Sequence, residues 1–166
     1  MNRSVRFPTS DVSDDATPPD DVVAALQATL AGEHACVYGY GVAGAYLDDD
    51  ELAAARQALE VHEQRRDTLR EHLLAMDVEP EAALPAYALP FAVDDATSAR
   101  ELAGVLEERL GAVYIDLIGA GTGVDLRELA AEAVVDTAVR AARWGVALSA
   151  FPGLEGREGA PDAAGE

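Results

Sequence analysis

DVEPEAALPAYALPFAV, residues 77–93, decides the fold, because it cannot be a helix and is too apolar to be a free loop. Pro80, Pro85 and Pro90 forbid a continuous helix, while Leu84, Tyr87, Leu89 and Phe91 call for burial. The segment reads as an extended strap lying on something already folded. At ~3.3 Å per residue it reaches ~56 Å, whereas a helix of ~26 residues is ~39 Å long. It can therefore cross a whole helical bundle, and the helices on either side of it can run parallel.

Helical patterns flank the strap on both sides. Upstream, Leu52, Ala55, Leu59, His62, Arg66, Leu69, Leu73 and Met76 recur at spacings of three and four, predicting a helix over 49–76. Asp48 to Glu51 supply the acidic first turn that complements its dipole and offer a capping side chain. Before that, Val23, Leu26, Leu30, Val37 and Tyr40 predict a helix over 21–47, started by Pro18 and Pro19 followed by two aspartates. Its Gly39, Gly41 and Gly44 imply close approach of a neighbouring backbone, since glycine weakens an exposed helix. Downstream, Leu102, Leu106, Leu110, Val113 and Leu117 predict a helix over 94–118, starting at Asp94 or at Ser98, where Ser98 and Glu101 make a capping box. The fourth helix, over 125–150, carries Leu126, Leu129, Ala133, Asp136, Arg140 and Ala147, with Asp125 and Glu128 as a second box. The short links between helices one and two and between three and four make each pair an antiparallel hairpin. The expected architecture is an all-α four-helix bundle over 20–152, with the strap crossing between two hairpins and polar tails at 1–19 and 153–166.

Composition narrows the function. The chain has 166 residues, 49% of them hydrophobic, enough for one core of ordinary size. A net charge of -19 disfavours nucleic acid and anionic membrane as partners. All 12 positive residues are arginine, which excludes a Schiff-base lysine and a phosphate-loop lysine. Cys36 stands alone, so neither a disulfide within the chain nor a cysteine zinc site can form. The N-terminal stretch has no apolar signal segment, and the expectation is a soluble cytoplasmic protein. The glycines of helix one make that face a candidate homo-oligomer contact. Gly119, Gly121 and Gly123 imitate a dinucleotide fingerprint, but a helix rather than a strand precedes them, and they read as a helix stop and a turn.

Taken together, GEHACVYGYGVAGAY (32–46), VHEQRRDTL (61–69), PAYALPF (85–91) and DTAVRAARW (136–144) resemble a ferritin-like domain family of unknown function, over roughly residues 22–148. The resemblance implies a ferritin-like fold and no particular reaction, since that superfamily spans iron storage, oxidases and members without metal. A di-iron site of this kind takes one Glu from each of two helices and a Glu-x-x-His from each of the other two. Glu33 and Glu107, or its neighbour Glu108, match the single carboxylates. The paired motifs would fall at Glu63 to Arg66 and at Asp136 to Val139, and both histidines are missing.

Two readings of this polar layer follow. In the first, no cofactor binds: Glu33, Glu107 and Asp136 pair with Arg66, Arg140 and His62 in a nearly neutral buried network, and the bundle acts in binding or assembly. Arg66→Ala should then cost ~3 kcal/mol or more. In the alternative, Glu33, His62, Glu63, Glu107 and Asp136 supply ligands for Fe or Mn in an oxidase or iron-handling protein. A small-ligand pocket lined by the same groups is a third option. His34 should point to a groove or the surface, His72 should sit favourably at a helix end, and Tyr38, Tyr40, Tyr114 and Trp144 read as packing anchors, with hydrogen bonding into the polar layer as the second option for the three tyrosines.

Overall fold

The computed structural model describes residues 18–121 and 123–147. Apart from Pro18 and Pro19, the expected tails lie outside the described residues. Four helices account for the regular structure there: α1 (Asp20–Ala43), α2 (Asp49–Ala75), α3 (Ala96–Gly119) and α4 (Val124–Arg143). None is long and apolar enough to cross a membrane.

The chain forms two antiparallel hairpins, α1 with α2 and α3 with α4. The strap runs alongside α1 in the same direction. Gln27 donates to the Glu79 carbonyl and accepts from the Glu81 amide, His34 lies 3.2 Å from the Glu81 carbonyl, and Tyr38 packs on Tyr87. The strap therefore returns the chain to the end where it began α2, so α2 and α3 are parallel, as its length allows. Leu89, Phe91 and Val93 pack against the core, which is built on Leu26, Leu30, Leu69, Leu73, Leu102 and Leu110. Leu84 is the exception to the expected burial: it is 60% exposed, and its amide bonds to the Tyr87 hydroxyl at a bend.

Several helix ends differ from the expected ones. α1 stops at Ala43 rather than 47, because the amides of Ala45 and Tyr46 turn back to Val42 and Ala43. α4 stops at Arg143 rather than 150. Gly145 takes φ +92, and the Gly145 and Val146 amides return to Ala142 and Ala141, the hydrogen-bond pattern of a helix-terminating left-handed turn. Residues 148–150 of that expected helix are not among those described. The same turn closes α2, where Asp77 takes φ 54 and the Val78 amide bonds the Leu73 carbonyl. α3 is capped by Asp95, whose side chain accepts from the Ser98 amide at 2.8 Å, so Ser98 is the far half of the capping box rather than its start. The expected box at Asp125 and Glu128 does not form, since α4 begins one residue earlier, after Gly123, and Asp48 makes no side-chain cap either.

The glycines of α1 divide. A Cβ on Gly39 would lie 2.5 Å from Leu106 Cδ1, so this glycine admits α3. Gly41 has nothing within 4 Å, and Gly44 meets only its own helix end and Leu52. The close neighbour is a leucine side chain, not the backbone the spacing suggested.

α1 packs on α2 and on α3, and α3 packs on α4. The fourth side, α2 against α4, stands wider and leaves a groove of about 260 Å³.

Candidate functional site

Glu33 on α1, His62 on α2 and Glu107 on α3 meet at the centre of the bundle, each with no solvent exposure. The imidazole lies between the two carboxylates: Nδ1 is 2.7 Å from Glu33 Oε2 and Nε2 is 3.1 Å from Glu107 Oε1. Arg140 reaches in from α4, its Nε donating to Glu107 Oε1 at 2.7 Å. All four helices thus contribute one charged group to the layer.

Two tyrosines close the network at either end. Tyr40 on α1 donates to Glu107 on α3 at 2.6 Å, and Tyr114 on α3 donates to Glu33 on α1. The exchange is reciprocal because Glu33 and Tyr40, like Glu107 and Tyr114, are seven residues apart and so share a helix face. In an antiparallel pair, that offset sets each phenol beside the other helix's carboxylate. Trp144 extends the chain, its indole N–H donating to the Tyr40 hydroxyl at 2.9 Å, while the Tyr40 ring stacks on His62 with centroids 5.2 Å apart.

Burial alone would push His62 toward neutrality, but hydrogen bonds to Glu107 and Glu33 and their negative charges outweigh it, raising its pKa above 6.5. Glu107 mirrors this. Burial would raise its pKa, and the hydrogen bond and charge of His62 together with Arg140 bring it below 4.5. Arg140, which burial would lower, is raised by Glu107. With His62 protonated, two cations balance two carboxylates. Burial, and then the neighbouring carboxylates, raise the pKa values of the phenols of Tyr40 and Tyr114 and the thiol of Cys36, so all three stay protonated. A protonated buried thiol is a poor nucleophile.

The structure corrects the expected network at two positions. Arg66 does not enter it: its Nε donates to its neighbour Asp67 at 2.9 Å, and that pair lies on the outer surface. Asp136 is also peripheral, with its side chain 53% exposed and paired to Arg65 rather than Arg66. Arg65 is the inward arginine of the two, with its side chain 13% exposed and its guanidinium 5.9 Å from the centroid of the Tyr114 ring. Glu63 is exposed, and so is Glu108. Of the residues expected in the layer, the structure brings Glu33, His62, Glu107 and Arg140 together. Arg65 and the bonding role of Trp144 were not expected, and Tyr40 and Tyr114 take the hydrogen-bonding role that was the second option for them, one for which their seven-residue spacing from Glu33 and Glu107 is a signal. His34 serves the strap and Tyr38 packs beneath it.

Among the described residues, no three His, Cys, Asp or Glu side chains are arranged to hold an ion. Among the buried side-chain polar atoms of the described residues, Glu107 Oε2, Arg65 Nη1 and Arg140 Nη2 have no hydrogen-bond partner.

Fold and site together define a four-helix bundle whose core carries a charge-balanced polar layer. The chain belongs to the family described as Domain of unknown function (DUF4439), whose sequence profile matches residues 25–156. It is similar to a conserved hypothetical protein, rv2844, from Mycobacterium tuberculosis, known from a crystal structure, with 32% identity and a TM-score of 0.74. The match covers 76% of this chain and 96% of that one. No functionally curated protein matches the chain.

Proposed function

We propose that this is a non-catalytic ferritin-like domain that works by binding or assembly, with the Glu33–His62–Glu107–Arg140 network standing where related bundles hold two metal ions. The observation that carries this reading is the engagement of both ring nitrogens of His62 by carboxylates on opposite sides. A metal ligand needs a lone pair on one nitrogen, and a protonated imidazole offers none. The donor set does not fit a di-metal cofactor: Glu63 is exposed, Asp136 turns to Arg65, and the Arg140 guanidinium sits on Glu107 Oε1. A guanidinium cannot ligate a cation and repels one.

Metal analysis of the purified protein, with thermal unfolding in the presence of chelator, Fe(II) or Mn(II), tests the reading. The expected result is a substoichiometric metal content and an unmoved transition. One tightly held Fe or Mn per chain, with a raised transition temperature, would replace this reading with the metal-dependent alternative.

A further inference from the structure

The groove between α2 and α4 lies on the flank of the polar layer. Ala54, Ala58 and Val61 give it an apolar floor, and Arg140, Arg143 and Trp144 form the α4 side. Gln57 and Asp136 complete the rim.

Its charge runs against that of the molecule. The chain carries -19, yet here two guanidiniums flank one cavity whose single carboxylate, Asp136, is already paired with Arg65. Arg140 spends Nε on Glu107, while its Nη2 is buried without a partner. Arg143 makes no ion pair among the described residues. A buried donor left unmade is unfavourable, so an acceptor that draws the Arg140 guanidinium toward the groove is gained rather than exchanged. Guanidiniums match carboxylates through parallel N–H donors, and the alanine floor beside an indole suits a flat apolar body. At about 260 Å³ the cavity is smaller than most pockets for drug-sized ligands.

We propose that this groove binds a small organic carboxylate, with its charged end on Arg140 and Arg143 and its apolar body over Ala54, Ala58 and Val61 beside Trp144. The groove shares Arg140 with the core network, but one test reads carboxylate binding and the other reads metal content, so the two readings fail separately.

Trp144 is the chain's one tryptophan, and its fluorescence reports on the groove. The full chain is titrated at low ionic strength with sodium benzoate, and in parallel with benzamide, the uncharged analogue of the same shape. Benzoate should give a saturable change, and benzamide should bind at least about tenfold more weakly. Arg143→Gln, at an exposed position where the fold is not at stake, should weaken benzoate binding roughly tenfold, and Arg143→Lys should lose less. Gln57→Glu, which adds a negative charge to the rim, should also weaken it. No saturable response to benzoate, equal binding of benzamide, or an Arg143→Gln variant that binds as the parent does would each overturn the proposal.

Discussion

Removing the imidazole of His62 would leave Glu33 with the Tyr114 hydroxyl but no cation, while Glu107 keeps Arg140, an excess of one negative charge in a core without solvent. His62→Leu should therefore cost about 3–5 kcal/mol, the scale for breaking a buried ion pair on one side only. Arg66→Ala, expected from the sequence to be as severe, should instead stay within about 0.5 kcal/mol, because its partner Asp67 is a surface neighbour. Urea unfolding of both variants checks the contrast, and equal losses would contradict the observed layer. The same histidine sets a pH dependence. Its folded pKa is raised above 6.5, so its contribution is whole below that value and is lost as pH climbs through the raised one. Glu107 works in the opposite sense. Its contribution is whole above 4.5 and is lost as pH falls through its lowered value. Stability should thus peak between about pH 4.5 and 6.5 as far as this pair controls it, and His62→Gln should flatten the alkaline decline. Unchanged alkaline behaviour in that variant would assign the decline to other groups.

At the scale of the helices, α1 shows how spacing and packing separate. Three glycines in its last turns read alike in sequence, yet Gly39 faces Leu106 and Gly41 faces open space. Gly41→Ala should stabilise by about 0.5–1 kcal/mol through helix propensity alone. Gly39→Ala must push Leu106 aside and should destabilise by about 1–3 kcal/mol, and thermal melts of the two variants should move in opposite directions. The strap was legible because three prolines and four large apolar residues leave few conformations. The end of α4 was not, because the apolar spacing continues past Gly145 while the backbone reverses there. Capping residues were found in type but not always in place. At α3, Asp95 takes the cap and leaves Ser98 as its partner, since a carboxylate there satisfies the Ser98 amide directly.

At the scale of the whole molecule, surface repulsion opposes the compact state. With -19 net charge, added NaCl should raise the melting temperature until the Debye length falls to about 8–10 Å near 0.1–0.15 M, with smaller gains beyond. A melting temperature independent of salt would mean that the acids are too dispersed to matter. The sequence by itself determined that four amphipathic helices form and that prolines hold residues 77–93 extended, because these follow from local periodicity and backbone chemistry. Only the tertiary structure decided that Arg65 turns inward and Arg66 outward, and that each tyrosine reaches the opposite helix's glutamate. Residues three and four places after His62 lie about 60° and 40° to either side of it on the helix, so both border the buried stripe. Periodicity identifies a face, and which edge of that face meets α4 depends on where the other helices stand.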